Sequence, residues 1–528
     1  MRKDRKINQA EAEKINGPGK VYLVGAGPGD PGLLTLKGKE IIETSDVIIY
    51  DRLASPRLMA FARKDAERIY VGKRTGAHAV SQEEINRIIV EKACEGKLVC
   101  RLKGGDPFIF GRGAEEAQAL VSAGIPFEIV PGVTSAIAVP AYAGIPLTHR
   151  SHTASVAFIT GHRKFDAEEA DVDWEGLAKG VGTLVFLMGM KNLPNIVKEL
   201  IKYGRPANTP AAVINWGTTP FHKSVVGTLE DIAQKVNDAG IKPPSIIVVG
   251  TVVGLKDEID WFETRPLLGK RALITRTRSQ ASSLANLLEK KGAYPIELPT
   301  IATVAPEDQS GLDGALSRLS SFDWVVFSSE NAVRFFFDRL LALGFDLRAL
   351  SNIKIAAMGA ATAENIASFN LKTDLIPENF KAEDLVDAFR KLGLKEGAKV
   401  FIPRAEKARD VLPEGLRGLG AKVETAAAYR TIAPTPEPGV LEELRDGGAD
   451  IITFTSSSTV KNFFAVIPKE LKEQLVKKAA IACIGPITAK TASDLGLKVD
   501  IEPDKSTMAG LVEAIEAYFA KSRTQAND

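Results

Sequence analysis

Cysteine is scarce. Only Cys94, Cys100 and Cys483 occur in 528 residues, and no two form a CxxC pair. That excludes a disulfide-stapled scaffold and a thiolate metal site, and it suits a reducing cytoplasm. An excess of one charge is also missing, because 68 Lys and Arg face 66 Asp and Glu for a formal net charge of +2. Bulk charge therefore recruits neither nucleic acid nor a membrane surface. Long apolar runs are lacking as well. The uncharged stretch Ile129–Leu147 is broken by Pro131, Gly132, Pro140, Gly144 and Pro146, which excludes a membrane span. Residues 1–18 are charged and polar and carry no secretory pattern, so a polar tail is expected over 1–19.

What is present is regular alternation. Strand-like apolar runs alternate with helical stretches along the whole chain, which predicts an α/β protein of roughly two to four domains. Residues 20–254 read as one block. The charged, proline-containing segment Leu255–Lys270 follows, with 255–268 expected as a linker. Residues 269–520 form a second block, and 521–528 a tail.

The most informative stretch is RLKGGDPFIFGRGAEE, from Arg101 to Glu116. It follows an apolar strand-like run and contains Gly104, Gly105, Gly111 and Gly113, so backbone can approach a ligand closely there. A second glycine loop, VGAGPGDPG, runs from Val24 to Gly32 after another such run. Two glycine loops at the carboxyl ends of two strands describe a small-molecule cleft in an open α/β sheet. The second loop is not a dinucleotide fingerprint. Gly25, Gly27 and Gly29 give G-x-G-x-G, Asp30 stands where the last glycine of G-x-G-x-x-G belongs, and Pro28 removes a backbone donor.

The second block contains an internal repeat. GKRALITR at Gly269–Arg276 matches GAKVFIPR at Gly397–Arg404. DWVVFSSENAVRFFF from Asp323 matches DIITFTSSSTVKNFF from Asp450, and IAAMGAATAENI from Ile355 matches IACIGPITAKTA from Ile481. Two similar α/β lobes facing one another make a cleft. Small hydroxyls lie where strands give way to helices: Ser328, Ser329 and Thr362 in one copy, and Thr455, Ser456, Ser457 and Thr488 in the other. They read either as helix caps or, with Arg276 and Arg404 on adjacent strand ends, as an anion site.

At these motifs the chain resembles two families. VGAGPGDPGLLTLKG, YDRL at Tyr50–Leu53, GKR at Gly72–Arg74, RLKGGDPFIFGRGAEE and PGVTSAIAVPAYAGIPLTHR at Pro131–Arg150 resemble uroporphyrinogen-III C-methyltransferase. Residues 269 to about 520 resemble uroporphyrinogen-III synthase through the repeat, the Ser/Thr turns and Tyr429. The resemblance implies a two-lobed tetrapyrrole methyltransferase fold followed by a two-lobed α/β synthase. One synthase lobe would be 269–303 plus 431–520, and the other 304–430. The implied function is ring closure of hydroxymethylbilane to uroporphyrinogen III, then transfer of two methyls to C2 and C7, giving precorrin-2. The alternative is another precorrin methyltransferase joined to a two-lobed binding module.

The resemblance also implies site residues. S-adenosylmethionine (SAM), leaving as S-adenosylhomocysteine, is expected at Pro28, Gly104, Gly105, Asp106, Ile109, Thr134, Ser135, Met188 and Gly217. Met188 on its own reads as core, and only its motif position brings it in. Asp51 is expected as proton acceptor and Lys73 as donor, each also readable as a solvated loop charge. Substrate carboxylates are expected at Arg52, Arg74, Arg112 and Arg150, with His149 beside them. In the second half the expected substrate contacts are Arg276, Ser329, Thr362, Arg404, Ser456 and Thr488. Tyr429 is either a proton donor for loss of the hydroxyl or an aromatic packed at the hinge. His149 and His152 lack a completing ligand, so no metal is expected. The expected partners are tetrapyrrole substrates and a second copy through the methyltransferase half, with no nucleic acid or membrane, in the cytoplasm.

Overall fold

The computed structural model describes residues 19–72, 80–161, 172–276, 278–379, 381–436 and 438–527. Packing divides them into two units. One takes in the chain up to Lys270 together with Leu288–Tyr294, and the other Arg271–Leu287 and the chain from Pro295.

The first unit holds two sheets. Strands β1 (Val21–Gly25), β2 (Val47–Tyr50), β3 (Glu67–Tyr70), β4 (Val99–Lys103) and β5 (Phe127–Val130) form a sheet of order β3-β2-β4-β1-β5. Every pairing is parallel. Such strands are covered on both faces and so read as unbroken apolar runs, as VIIY of β2 does. Val21, Ile49, Val99, Ile89 and Leu120 pack on one face, and Val24, Ile42, Ile48 and Leu102 on the other. The second sheet contains β6 (Val156–Thr160), β7 (Thr183–Leu187), β8 (Pro210–Asn215), β9 (Lys223–Thr228) and β10 (Ser245–Val249), in order β6-β7-β10-β8-β9. It is mixed, with β6 and β7 parallel and the other pairings antiparallel. The stretch after β10 is packed rather than free, since Lys256, Phe262 and Leu267 are buried.

The second unit also holds two sheets. Strands β11 (Arg271–Ile274), β12 (Tyr294–Glu297), β18 (Ile451–Phe454) and β19 (Ala480–Cys483) run in order β12-β11-β18-β19. Strands β13 (Ala302–Val304), β14 (Trp324–Phe327), β15 (Lys354–Ala357), β16 (Lys399–Ala405) and β17 (Lys422–Ile432) run in order β13-β17-β16-β14-β15. The start of the unit thus pairs with its end, Ala272 opposite Ile451 in parallel register. The repeat is visible in three dimensions: WVVF of β14 and IITF of β18 are both fully buried, and each leads into a serine-capped helix. The α/β architecture with two lobes per unit is the one expected from the sequence. Among the described residues no helix is long and apolar enough to cross a membrane.

Candidate functional site

Parallel neighbours β1, β4 and β5 end on the same sheet edge, so the loops that follow them meet. Gly25 and Gly132 there have no room for a side chain. A Cβ on Gly132 would lie 2.3 Å from the Gly105 carbonyl oxygen and 2.6 Å from Gly25 Cα. Gly105 has φ +69°, which favours glycine. Its N–H donates to the Gly27 carbonyl at 2.7 Å, and the Gly27 N–H donates back at 3.2 Å. Asp106 ties this arrangement together. Its Oδ1 accepts from the Phe108 N–H at 2.8 Å and its Oδ2 from the Gly132 N–H at 3.0 Å. The carboxylate expected to face the cofactor is thus also a brace between two loops.

The second lobe meets these loops at the turn after β8. Thr134 caps helix Ser135–Tyr142, its Oγ1 accepting from the Ala136 N–H at 3.3 Å. Val139 of that helix fills the space at Gly217, where a Cβ would lie 2.3 Å from Val139 Cγ1. Gly217 belongs to the turn after β8, and the same turn abuts the loop of Pro28. A Cβ on Gly29 would lie 2.7 Å from Thr219 Cγ2. Pro28, Gly105, Asp106, Thr134, Ser135 and Gly217 are therefore parts of one contiguous surface. Ile109, in the loop after β4, is 37% exposed, and Met188, just after β7, is 50% exposed and so is not core.

Backbone strain gathers in the same loops. Phe110, Arg112, Met188, Trp216 and Thr218 all have φ between +46° and +67°. Such conformations cost about 1–3 kcal/mol each for non-glycine residues and persist where structure over-determines them, commonly at ligand sites.

Asp51 follows β2. Its Oδ1 accepts from the Leu53 N–H at 3.0 Å, and its Oδ2 lies 3.4 Å from Arg101 Nη2. Arg101 opens a buried network. Glu116 Oε1 accepts from Arg101 Nε at 3.1 Å, Lys103 Nζ at 2.7 Å and Gln82 Nε2 at 3.2 Å. Burial and the neighbouring Arg101 charge hold the Lys103 ammonium below its usual value. Two cations and two carboxylates balance, with Asp51 as the end reaching the surface. The sequence reading missed Arg101, Lys103 and Glu116. Their signal was two charges at alternate positions of an apolar strand, hence on one face.

The other expected residues are spread more widely. Lys73 and Arg74 lie outside the described residues. Arg52 and Arg150 are exposed. Arg112 is exposed and paired with Glu115 at 2.6 Å. His149 and His152 stack edge to face at 4.9 Å. Among the described residues no cluster of three or more His, Cys, Asp or Glu is arranged to hold a metal.

In the second unit Ser329 and Ser456 cap equivalent helices, accepting from the Ala332 and Thr459 N–H groups. Thr362 and Thr488 sit instead inside the first turns of their helices, buried, and Gly359 and Gly485 occupy the cap positions. Arg404 pairs with Asp410 at 2.7 Å and donates to the Ala408 carbonyl. Arg276 is half-buried against Met508, and burial lowers its guanidinium from the usual value. Tyr429 places its hydroxyl 3.1 Å from Ser329 Oγ and stacks on Phe335 at 5.8 Å.

Residues 20–233 match the family model of tetrapyrrole (corrin/porphyrin) methylases, and residues 282–513 that of uroporphyrinogen-III synthase HemD. The porphyrin biosynthesis protein HemD of Ruminiclostridium josui is 38% identical over 94% of this chain and 97% of its own. The uroporphyrinogen-III C-methyltransferase of Bacillus subtilis (strain 168) is 46% identical over 69% of this chain and 74% of its own. A solved structure of uroporphyrin-III C-methyl transferase from Thermus thermophilus, complexed with S-adenyl homocysteine, is 40% identical. It covers 45% of this chain and 100% of its own, with a TM-score of 0.39. With a relative matched nearly end to end, the chain belongs to the porphyrin-biosynthesis family in which a tetrapyrrole methylase is followed by a uroporphyrinogen-III synthase.

Proposed function

We propose that the chain closes hydroxymethylbilane to uroporphyrinogen III and then transfers two methyl groups from SAM to C2 and C7, giving precorrin-2. The observation that carries the methyltransferase half is the meeting of side-chain-free backbone at Gly25, Gly105 and Gly132, with apolar Ile109, Met188 and Trp216 left exposed in the loops after β4, β7 and β8. Polar backbone beside flat apolar surface fits a nucleoside with an amino-acid tail. Pro28, Gly104, Gly105, Asp106, Ile109, Thr134, Ser135, Met188 and Gly217 would hold SAM. When bound, SAM supplies an electrophilic sulfonium methyl for an electron-rich pyrrole carbon.

The chain's own residues orient the macrocycle and manage its protons. Asp51 takes the proton that the macrocycle loses, from a ring nitrogen or a bridging carbon, once the pyrrole carbon has gained its methyl group. Arg101 Nη2 lies 3.4 Å from its Oδ2 and orients the carboxylate. Lys73 returns a proton elsewhere on the macrocycle. Arg52, Arg74, Arg112 and Arg150 pair with the substrate's carboxylates.

In the synthase half, Tyr429 donates a proton as the hydroxyl leaves the bilane as water, and Ser329 orients the phenol. Arg276, Arg404, Ser329, Ser456, Thr362 and Thr488 are the proposed substrate side of this unit. Its main task is to fold the activated chain so that ring D closes inverted. The enzyme works in the cytoplasm, as a dimer through the methyltransferase half.

The test supplies uroporphyrinogen III and methyl-labelled SAM to the full chain. Two labels per macrocycle support the proposal, and an unlabelled macrocycle overturns it.

A further inference from the structure

A ring of contacts surrounds the meeting point of the two lobes in the first unit, and it closes through the stretch expected to be a linker. On the first-lobe side, the Asp30 N–H lies 3.3 Å from Thr218 Oγ1, and Asp30 Oδ2 accepts from the Tyr142 hydroxyl at 2.7 Å. Tyr142 packs on Trp261 and Phe262, with ring centroids 4.9 and 4.8 Å away. Trp261 Nε1 donates to the Ala141 carbonyl at 3.1 Å. Phe262 is buried and faces the His222 ring at 5.3 Å. Glu263 Oε1 lies 2.8 Å from His222 Nε2, and its Oε2 lies 3.1 Å from Lys256 Nζ. Lys256 also reaches Asp260 at 3.3 Å. The His222 N–H donates to the Thr219 carbonyl at 3.0 Å, which returns the ring to the turn beside Gly29.

These groups are an unusual expense for a tether. His222 and Lys256 are almost fully buried, and a buried ammonium or ring N–H is retained only when it has a partner. An exposed linker needs neither. The turn they hold is strained at Trp216 and Thr218, with φ +46° and +67°. Such a conformation needs surrounding structure to over-determine it.

We propose that Lys256–Arg265 is a strap that belongs to the cofactor pocket. It clamps the Gly29–Asp30 loop of one lobe against the Trp216–Thr219 turn of the other. The His222–Glu263 pair is its latch, and the Tyr142 hydroxyl its hold on Asp30. His222, Glu263 and Tyr142 are positioning residues. They touch no reacting atom and act by fixing the two loops whose meeting builds the pocket. The strap rests on the reading of the first unit as the SAM-binding half.

The test is calorimetric binding of S-adenosylhomocysteine to the full chain, alongside steady-state methylation and ring closure. In His222→Ala the latch is lost, and the dissociation constant is expected to rise about tenfold, the scale of one hydrogen bond to a charged group. His222→Gln restores an N–H donor to Glu263 and is expected to return the affinity to within about twofold. The KM for SAM follows the binding, while kcat at saturating SAM and the rate of ring closure stay at the wild-type level. If His222→Ala does not fold, Tyr142→Phe decides, because it removes only the hydroxyl and keeps the ring packing. That variant is expected to bind about fivefold more weakly. Folded variants that bind S-adenosylhomocysteine as tightly as wild type overturn the strap. A wild-type chain that binds none overturns the cofactor reading itself.

Discussion

The Tyr429 hydroxyl and Ser329 Oγ lie 3.1 Å apart, and the same serine oxygen accepts from the Ala332 N–H at 3.2 Å. The phenol is thereby tied to a helix N-terminus, while its ring stacks on Phe335. Tyr429→Phe keeps the stack and loses the hydrogen bond, so stability should fall by only about 1 kcal/mol. Ring closure, followed as type III porphyrinogen formed, should slow at least about tenfold. A Phe variant with wild-type turnover makes Tyr429 a packing residue.

Asp106 braces Phe108 and Gly132 at once. Asp106→Ala frees both backbone donors, so S-adenosylhomocysteine affinity should drop about tenfold or more while ring closure is untouched. Calorimetry giving the wild-type affinity contradicts the role of this loop.

Asp51 is the surface end of the Arg101–Glu116–Lys103 network. Asp51→Asn should leave cofactor affinity intact and slow methyl transfer at saturating SAM by about 10²- to 10⁴-fold. Unchanged turnover would reduce Asp51 to an ordinary loop charge.

Glu263 gives a pH-dependent prediction. Hydrogen bonds from His222, Ser224 and Lys256 outweigh burial and lower its carboxyl from 4.5 to about 2. A depressed folded-state value contributes stability that is present above the unfolded value and lost as pH falls through the folded one. Wild type should therefore unfold at a higher temperature than Glu263→Gln at about pH 6, with the gap narrowing from pH 4.5 towards 2. A gap that is constant over this range would show that Glu263 contributes through packing alone.

Much of this was legible in the sequence. Glycine loops after apolar runs marked the sheet edge where the loops meet, because parallel strands bring successive loops to one edge. The repeat foretold two α/β lobes in the second unit. The sequence could not reveal pairings between distant residues, since Glu263 with His222 and Tyr142 with Asp30 follow no local period. The charged Leu255–Lys270 composition pointed to a linker, and nothing in it signalled that Lys256 is buried against Asp260 and Glu263. Thr362 and Thr488 resembled caps because they sit near strand ends, but the glycines before them take the extended backbone that a cap requires.

The central claim is that one chain performs both steps. Its most direct test is to incubate the purified full chain with hydroxymethylbilane and SAM and to analyse the product by mass and isomer type. A type III macrocycle carrying two added methyl groups is the predicted result. An unmethylated type I macrocycle, the product of spontaneous closure, would contradict the account.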